Sequence, residues 1–124
     1  MRPTGSKSRW KGVTKVLYEA LLEALNGTGI PVAEYAWDTR PDGNYITVAI
    51  DGEANSLQAD GHKENQSPQG TVDLYTGSAD REAMQSVQAA LNGLDGCAWY
   101  LNSTQYEDDT RLLHWEWVFS LETW

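Results

Sequence analysis

Hydrophobic positions change their period along the chain, and each change marks an element. Val13, Val16, Leu17, Ala20, Leu21 and Ala24 stand at i, i+3, i+4, i+7, i+8 and i+11, which predicts a helix from Val13 to Leu25 with this stripe on the core. Asn26-Gly27 supplies its left-handed stop. The tetrapeptide ALNG recurs at 90–93 and closes a second helical pattern over Ala79–Leu91; nothing else around the two copies matches, so this is a shared helix end and not a repeat. Residues 32–38 (VAEYAWD) and 45–51 (YITVAID) are rich in β-branched and aromatic side chains, and TRPDGN between them predicts an antiparallel hairpin. The stretch 52–70, GEANSLQADGHKENQSPQG, is too long for a tight turn and too polar to bury itself, so it is expected as a long loop. Residues 71–76 (TVDLYT) and 97–101 (CAWYL) predict short strands. In the closing strand, 111–123, Leu113, Trp115, Trp117, Phe119 and Leu121 share one face, and His114, Glu116, Ser120 and Glu122 share the other. The aromatic face belongs to the core.

A chain of 124 residues makes one domain, with residues 1–12 as an N-terminal arm and 13–124 as the folded unit. The single cysteine, Cys97, excludes an internal disulfide. No apolar run reaches the ~18 residues of a membrane span, and the basic N-terminus lacks the apolar stretch of a signal peptide, so neither membrane contact nor export by a leader is expected. Charge is segregated. Arg2, Lys7, Arg9, Lys11 and Lys15 give residues 1–15 a charge of +5 with no acid; the remainder, with 4 basic and 18 acidic residues, carries −14, and together they make the −9 of the whole chain. Such a body repels nucleic acid, whereas the basic arm suits phosphate or an acidic neighbouring subunit, the protein neighbour being preferred.

Candidate chemistry is sparse. The joint TVDLYTGSADRE runs from strand into helix, but only Gly77 is present, no lysine follows, and Asp80 and Glu82 would repel phosphate, so Ser78 is expected to cap the helix instead. Cys97 and His114, with Asp95 or Asp109 orienting the ring, have the residue types of a thiol–imidazole pair, yet Cys97 alternates with Trp99 and Leu101 and is expected in the core. His62 with Asp60 and Glu64 lacks the fixed spacing of a zinc site, and YEDD at 106–109 is too short for a calcium loop. No catalytic residue, metal or cofactor is assigned. A second stripe on the first helix, Tyr18, Leu22 and Leu25, is rotated by about a third of a turn from the first and is the predicted subunit interface.

The order helix, hairpin, long polar loop with ADGH, strand VDLYTGSADRE, helix AMQSVQAALN and two closing strands resembles the small tail-terminator or tail-completion proteins of long-tailed bacteriophages. That family places a strand ending in an ELYT-like sequence before an acidic helix, followed by a variable stretch and an aromatic final strand. The resemblance covers nearly all of the chain after the arm. It implies an α+β fold, a mainly antiparallel sheet of about four to five strands with two helices packed on one face. It also implies a non-enzymatic subunit that forms a hexameric ring in the phage tail or neck after assembly in the host bacterial cytoplasm. That ring would cap the tail tube protein and join it to head connector proteins, with DNA passing through without specific binding. Arg2, Lys7, Arg9 and Lys11 of the arm and Asp60, His62 and Lys63 of the long loop are the expected partner contacts. A head–tail adaptor, a minor tail protein or a small non-catalytic binding module are the alternatives.

Overall fold

The structure is a computed structural model, and it describes residues 12–54 and 67–122. Two helices, α1 (Gly12–Asn26) and α2 (Arg81–Asn92), pack on a sheet of five strands: β1 (Val32–Glu34), β2 (Tyr45–Ala54), β3 (Ser67–Thr76), β4 (Cys97–Glu107) and β5 (Leu112–Leu121). The strand order is β1-β2-β3-β5-β4. Three of the four pairings are antiparallel, and β1 pairs with β2 in parallel. The fold is α+β, as the order of elements predicts.

Period-two alternation sets the core. Ile46 and Val48 of β2, Val72 and Leu74 of β3, and Trp117, Phe119 and Leu121 of β5 are buried with Leu21 and Leu25 of α1 and Val87 and Leu91 of α2. The alternation predicted for 111–123 is therefore the observed one, with Trp115 and Trp117 inside. Gly70 is fixed by packing: a Cβ there would lie 1.9 Å from the Ala49 carbonyl oxygen, so the β2 and β3 backbones meet where only glycine fits.

Several expectations need correction. Segments 32–38 and 45–51 are not a hairpin. After Glu34 the chain turns at Tyr35, whose φ of 67° is left-handed, and Ala36 N–H donates back to the Glu34 carbonyl at 2.7 Å. The TRPDGN segment then belongs to a return path, which Trp37 pins by donating its Nε1–H to the Ile46 carbonyl at 3.2 Å. Ile46 thus stands level with Val32, and the strands run the same way. The polar stretch 52–70 is shorter as a loop than expected, because Gly52–Ala54 and Ser67–Gln69 extend the β2–β3 ladder. Residue 78 is not the helix cap. Asp80 is, its Oδ1 accepting from Ala83 N–H at 3.0 Å while Asn44 Nδ2 donates to Oδ2 at 3.0 Å, and these bonds hold its carboxyl below the usual range. The helix begins at Arg81, so Asp80 and not Ser78 stands at the cap position, where its carboxylate accepts from the first free helix N–H groups.

The first helix is also rotated from its predicted setting. Val16 is 61% exposed, whereas Leu25 has no exposed surface and faces the subunit's own core. Leu17, Tyr18 and Leu22 are half-buried against that core. The face inside is the one richest in leucine, because larger side chains remove more apolar area from water than Val16, Ala20 and Ala24 would.

Candidate functional site

Both helices lie on one side of the sheet, and the other side is where side chains of unusual chemistry gather. The register creates this site. Tyr45 of β2 stands opposite Tyr75 of β3, and Tyr75 opposite His114 of β5, so three rings from three strands fall in one row. Their centroids are 4.7 Å apart for the two tyrosines and 4.3 Å for Tyr75 and His114, both pairs being stacked. Trp37, brought over by the return path before β2, adds an edge-on contact to Tyr45 at 6.2 Å. Tyr35, Trp37, Arg40, Tyr45, Tyr75 and Glu107 line an open groove of about 320 Å³ at this end of the sheet.

His114 sits between two carboxylates on its strand neighbours. Its Nε2 is 2.6 Å from Asp73 Oδ1 and its Nδ1 is 2.9 Å from Glu107 Oε2. Thr71 donates to the other Asp73 oxygen, and Thr110 donates to the other Glu107 oxygen, so both acids are held in place. Only a doubly protonated ring donates at both nitrogens. The bond to Asp73 leads the influences that raise the His114 pKa, with the Asp73 and Glu107 charges and the Glu107 bond adding to it against burial. The Tyr75 ring stacks on the His114 ring, and its own hydroxyl is pushed up to about 12, chiefly by burial and then by the Asp73 and Glu107 charges.

In the structure this arrangement acts as a clamp between strands. Both ring nitrogens of His114 are engaged by carboxylates, which hold the ring between its strand neighbours. Cys97 pairs with Leu121, whereas His114 pairs with Gln105, so the two stand at opposite ends of the β4–β5 ladder, about 23 Å apart at ~3.3 Å per residue. Burial pushes the Cys97 thiol up to about 11, away from the reactive thiolate. The thiol–imidazole pair is not assembled, and the ring is oriented by Asp73 and Glu107 instead of Asp95 or Asp109. At the strand–helix joint the Asp80 carboxylate occupies the helix N-terminus that an anion would need. Among the described residues no group of three or more His, Cys, Asp or Glu is arranged for a metal ion, and no helix is long and apolar enough to cross a membrane.

The sequence-predicted site residues divide three ways. Leu25 is in the core; Tyr18 and Leu22 keep part of their surface, with the Tyr18 hydroxyl donating to Glu34 at 3.0 Å. Arg2, Lys7, Arg9, Lys11, Asp60, His62 and Lys63 lie outside the described residues. The aromatic row was missed. Its signal was partly present, since His114 falls on the polar face of its strand and Tyr45 and Tyr75 alternate with core residues, but only the register brings the three together.

No protein-family model matches the chain, and no curated protein matches it. Among solved structures, a chain of the virion of a native gene transfer agent particle is similar at 16% identity and a TM-score of 0.49, over 86% of this chain and 90% of that one. At that identity and score the likeness carries no argument about fold or function.

Proposed function

We propose that this protein is a structural subunit of a phage-like virion, a tail-terminator or tail-completion protein that forms a ring, caps the tail tube and presents a surface to the head connector. The observation that carries the proposal is the one-sided packing of the sheet. Both helices cover one face, while the other holds the aromatic row around Tyr45, Tyr75 and His114. A subunit that joins others needs such surface, and the sequence resemblance to tail terminators specifies the kind of joining. Tyr18 and Leu22, half-buried at the edge of the core face of α1, offer a second apolar strip. The acidity of the body suits a channel wall that DNA passes without sticking, since it makes no counterion-releasing contacts with phosphate.

The test is a particle that lacks this protein alone. Tail tubes should run past their normal length and fail to join heads, and added protein should restore both. Tails of normal length joined to heads would refute the role. The same open groove also suits a small adaptor that binds a single partner. A fixed one-to-one complex with no self-association would favour that reading over the ring.

A further inference from the structure

The two edges of the sheet are unlike. β1 is an edge of 3 residues, closed by Pro31, which has no N–H, on one side and by the left-handed Tyr35 on the other. Beyond β1 the Tyr35 hydroxyl covers the outer side of β2 by donating to the Ile50 carbonyl at 3.2 Å. β4, at the other edge, runs for 11 residues, and among the described residues β5 is its only strand neighbour. Its outer side therefore has a row of backbone N–H and C=O groups that an added strand can pair. Edges that stay single are guarded by charge, proline or bulges. From Cys97 to Tyr106 β4 has no charged residue and no proline, and its one guard is the bulge between Leu101 and Ser103.

Apolar surface gathers on the same strand. The large hydrophobic side chains left exposed among the described residues are Val16, Tyr35, Tyr100, Leu101 and Tyr106, and the last three, at 57%, 41% and 59%, are all on β4. Charge decides what pairs there. β1, β2, β3 and β5 each include an acid, Glu34, Asp51, Asp73 and Glu116, whereas β4 has none before its last residue, Glu107. A basic partner would be drawn to the acidic surfaces of a chain with a net charge of −9 and would gain nothing from an uncharged strand. Two copies of that chain repel each other, so they meet best where charge is absent. β4 is also the only described strand whose free edge matches its own length, since β1 offers 3 residues to its 11.

We infer that β4 pairs antiparallel with β4 of a second copy of this chain and so joins two five-stranded sheets into one. The bulge sets the register. Trp99, Leu101, Thr104 and Tyr106 stand opposite the core residues Phe119, Trp117, Trp115 and Leu113 and share the helix side, while Tyr100 and Gln105, opposite Val118 and His114, share the other. Two copies match these sides when the two-fold axis passes between Asn102 and Ser103. Trp99 then lies across from Tyr106, Tyr100 from Gln105 and Leu101 from Thr104, which covers all three exposed apolar side chains. A two-fold contact closes on a pair and leaves no strand edge to continue. It is separate from the head-to-tail contact that the proposed ring requires, and it does not rest on that reading.

The experiment uses the full-length chain. Hydrogen exchange should show protection of β4 amides that rises with protein concentration, in step with a dimer seen by native mass. Leu101→Glu places a carboxylate on the pairing edge at a side chain already 41% exposed, so the circular dichroism spectrum should stay unchanged. Self-association should weaken about ten-fold or more, because the pairing desolvates that charge. Crosslinking tests the register in chains carrying Cys97→Ser. Under mild oxidation, Leu101→Cys mixed with Thr104→Cys should give a mixed disulfide dimer well above the yield of Leu101→Cys with Val16→Cys, an exposed position on α1. Equal yields would overturn the inference. So would β4 protection that is independent of concentration, which would mean that the chain covers its own edge, or protection that appears only with a different virion protein. Native mass separates the inference from the ring reading. A closed ring that tolerates Leu101→Glu and leaves β4 unprotected sinks the strand pairing alone, and a dimer that grows no further sinks the ring alone. A chain that stays monomeric at about millimolar concentration sinks both.

Discussion

Trp117→Ala tests the sheet register at its most buried point. Trp117 has no exposed surface, pairs with Val72 on one side and Leu101 on the other, and donates its Nε1–H to Gln88 Oε1 at 3.1 Å. Truncation to alanine removes on the order of 150 Å² of buried apolar surface, about 4 kcal/mol at ~25 cal/mol per Å². That agrees with the ~3–5 kcal/mol measured for large aromatic truncations in cores. The lost hydrogen bond adds little, because Gln88 is half-exposed and regains water. For a domain of this size the expected fall in Tm is about 10–20 °C. Glu116, the next residue, points the other way and accepts only from Asn102 in an exposed pair, so Glu116→Ala should cost under ~0.5 kcal/mol. Urea unfolding followed by circular dichroism measures both, and a lower midpoint at unchanged slope identifies a loss of stability. Equal costs for the two variants would refute the register, and with it the aromatic row, since the same alternation places His114 on the open face.

Two further predictions follow from named contacts. The folded pKa of His114 lies above its ordinary 6.5, so the clamp's contribution is complete below that value and is lost as pH rises through the folded pKa. Stability should therefore fall on the alkaline side of 6.5, His114→Gln should flatten that fall, and an unchanged pH profile in the variant would remove the clamp from the account. Gly70→Ala drives a Cβ to 1.9 Å from the Ala49 carbonyl and should cost about 3 kcal/mol, while Gly77→Ala, with nothing within 4 Å, should cost under ~0.5 kcal/mol in the same unfolding assay.

Local pattern made the elements legible. The alternation in LLHWEWVFSL and the strand TVDLYT depend on neighbours two residues apart, and both are observed as predicted. What local pattern lacks is the choice between two faces that are both apolar. On α1, Leu17 and Leu21 belong to the core on either choice, and the tie is broken by Leu25, which out-competes Val16 and Ala24 for the space in the core. The parallel β1–β2 pair was hidden for a similar reason. Pro, Asp and Gly in TRPDGN announce a change of direction but not the left-handed turn at Tyr35 that precedes it.

The candidate site was hidden for a deeper reason, because its members are far apart in the chain and each has an ordinary role alone. Tyr45, Tyr75 and His114 read separately as polar-face strand residues, and Asp73 and Glu107 as solvated acids. They become a site only when β5 inserts between β3 and β4, which sets Asp73 on one side of His114 and Glu107 on the other. The same insertion gives the surface its character. An imidazole held by two acids ties three strands together at the edge of the groove, so the rings beside it are presented on a stiff backing and not on loops. A partner that docks there loses its own freedom but need not order the receiving surface, which lowers the cost of association.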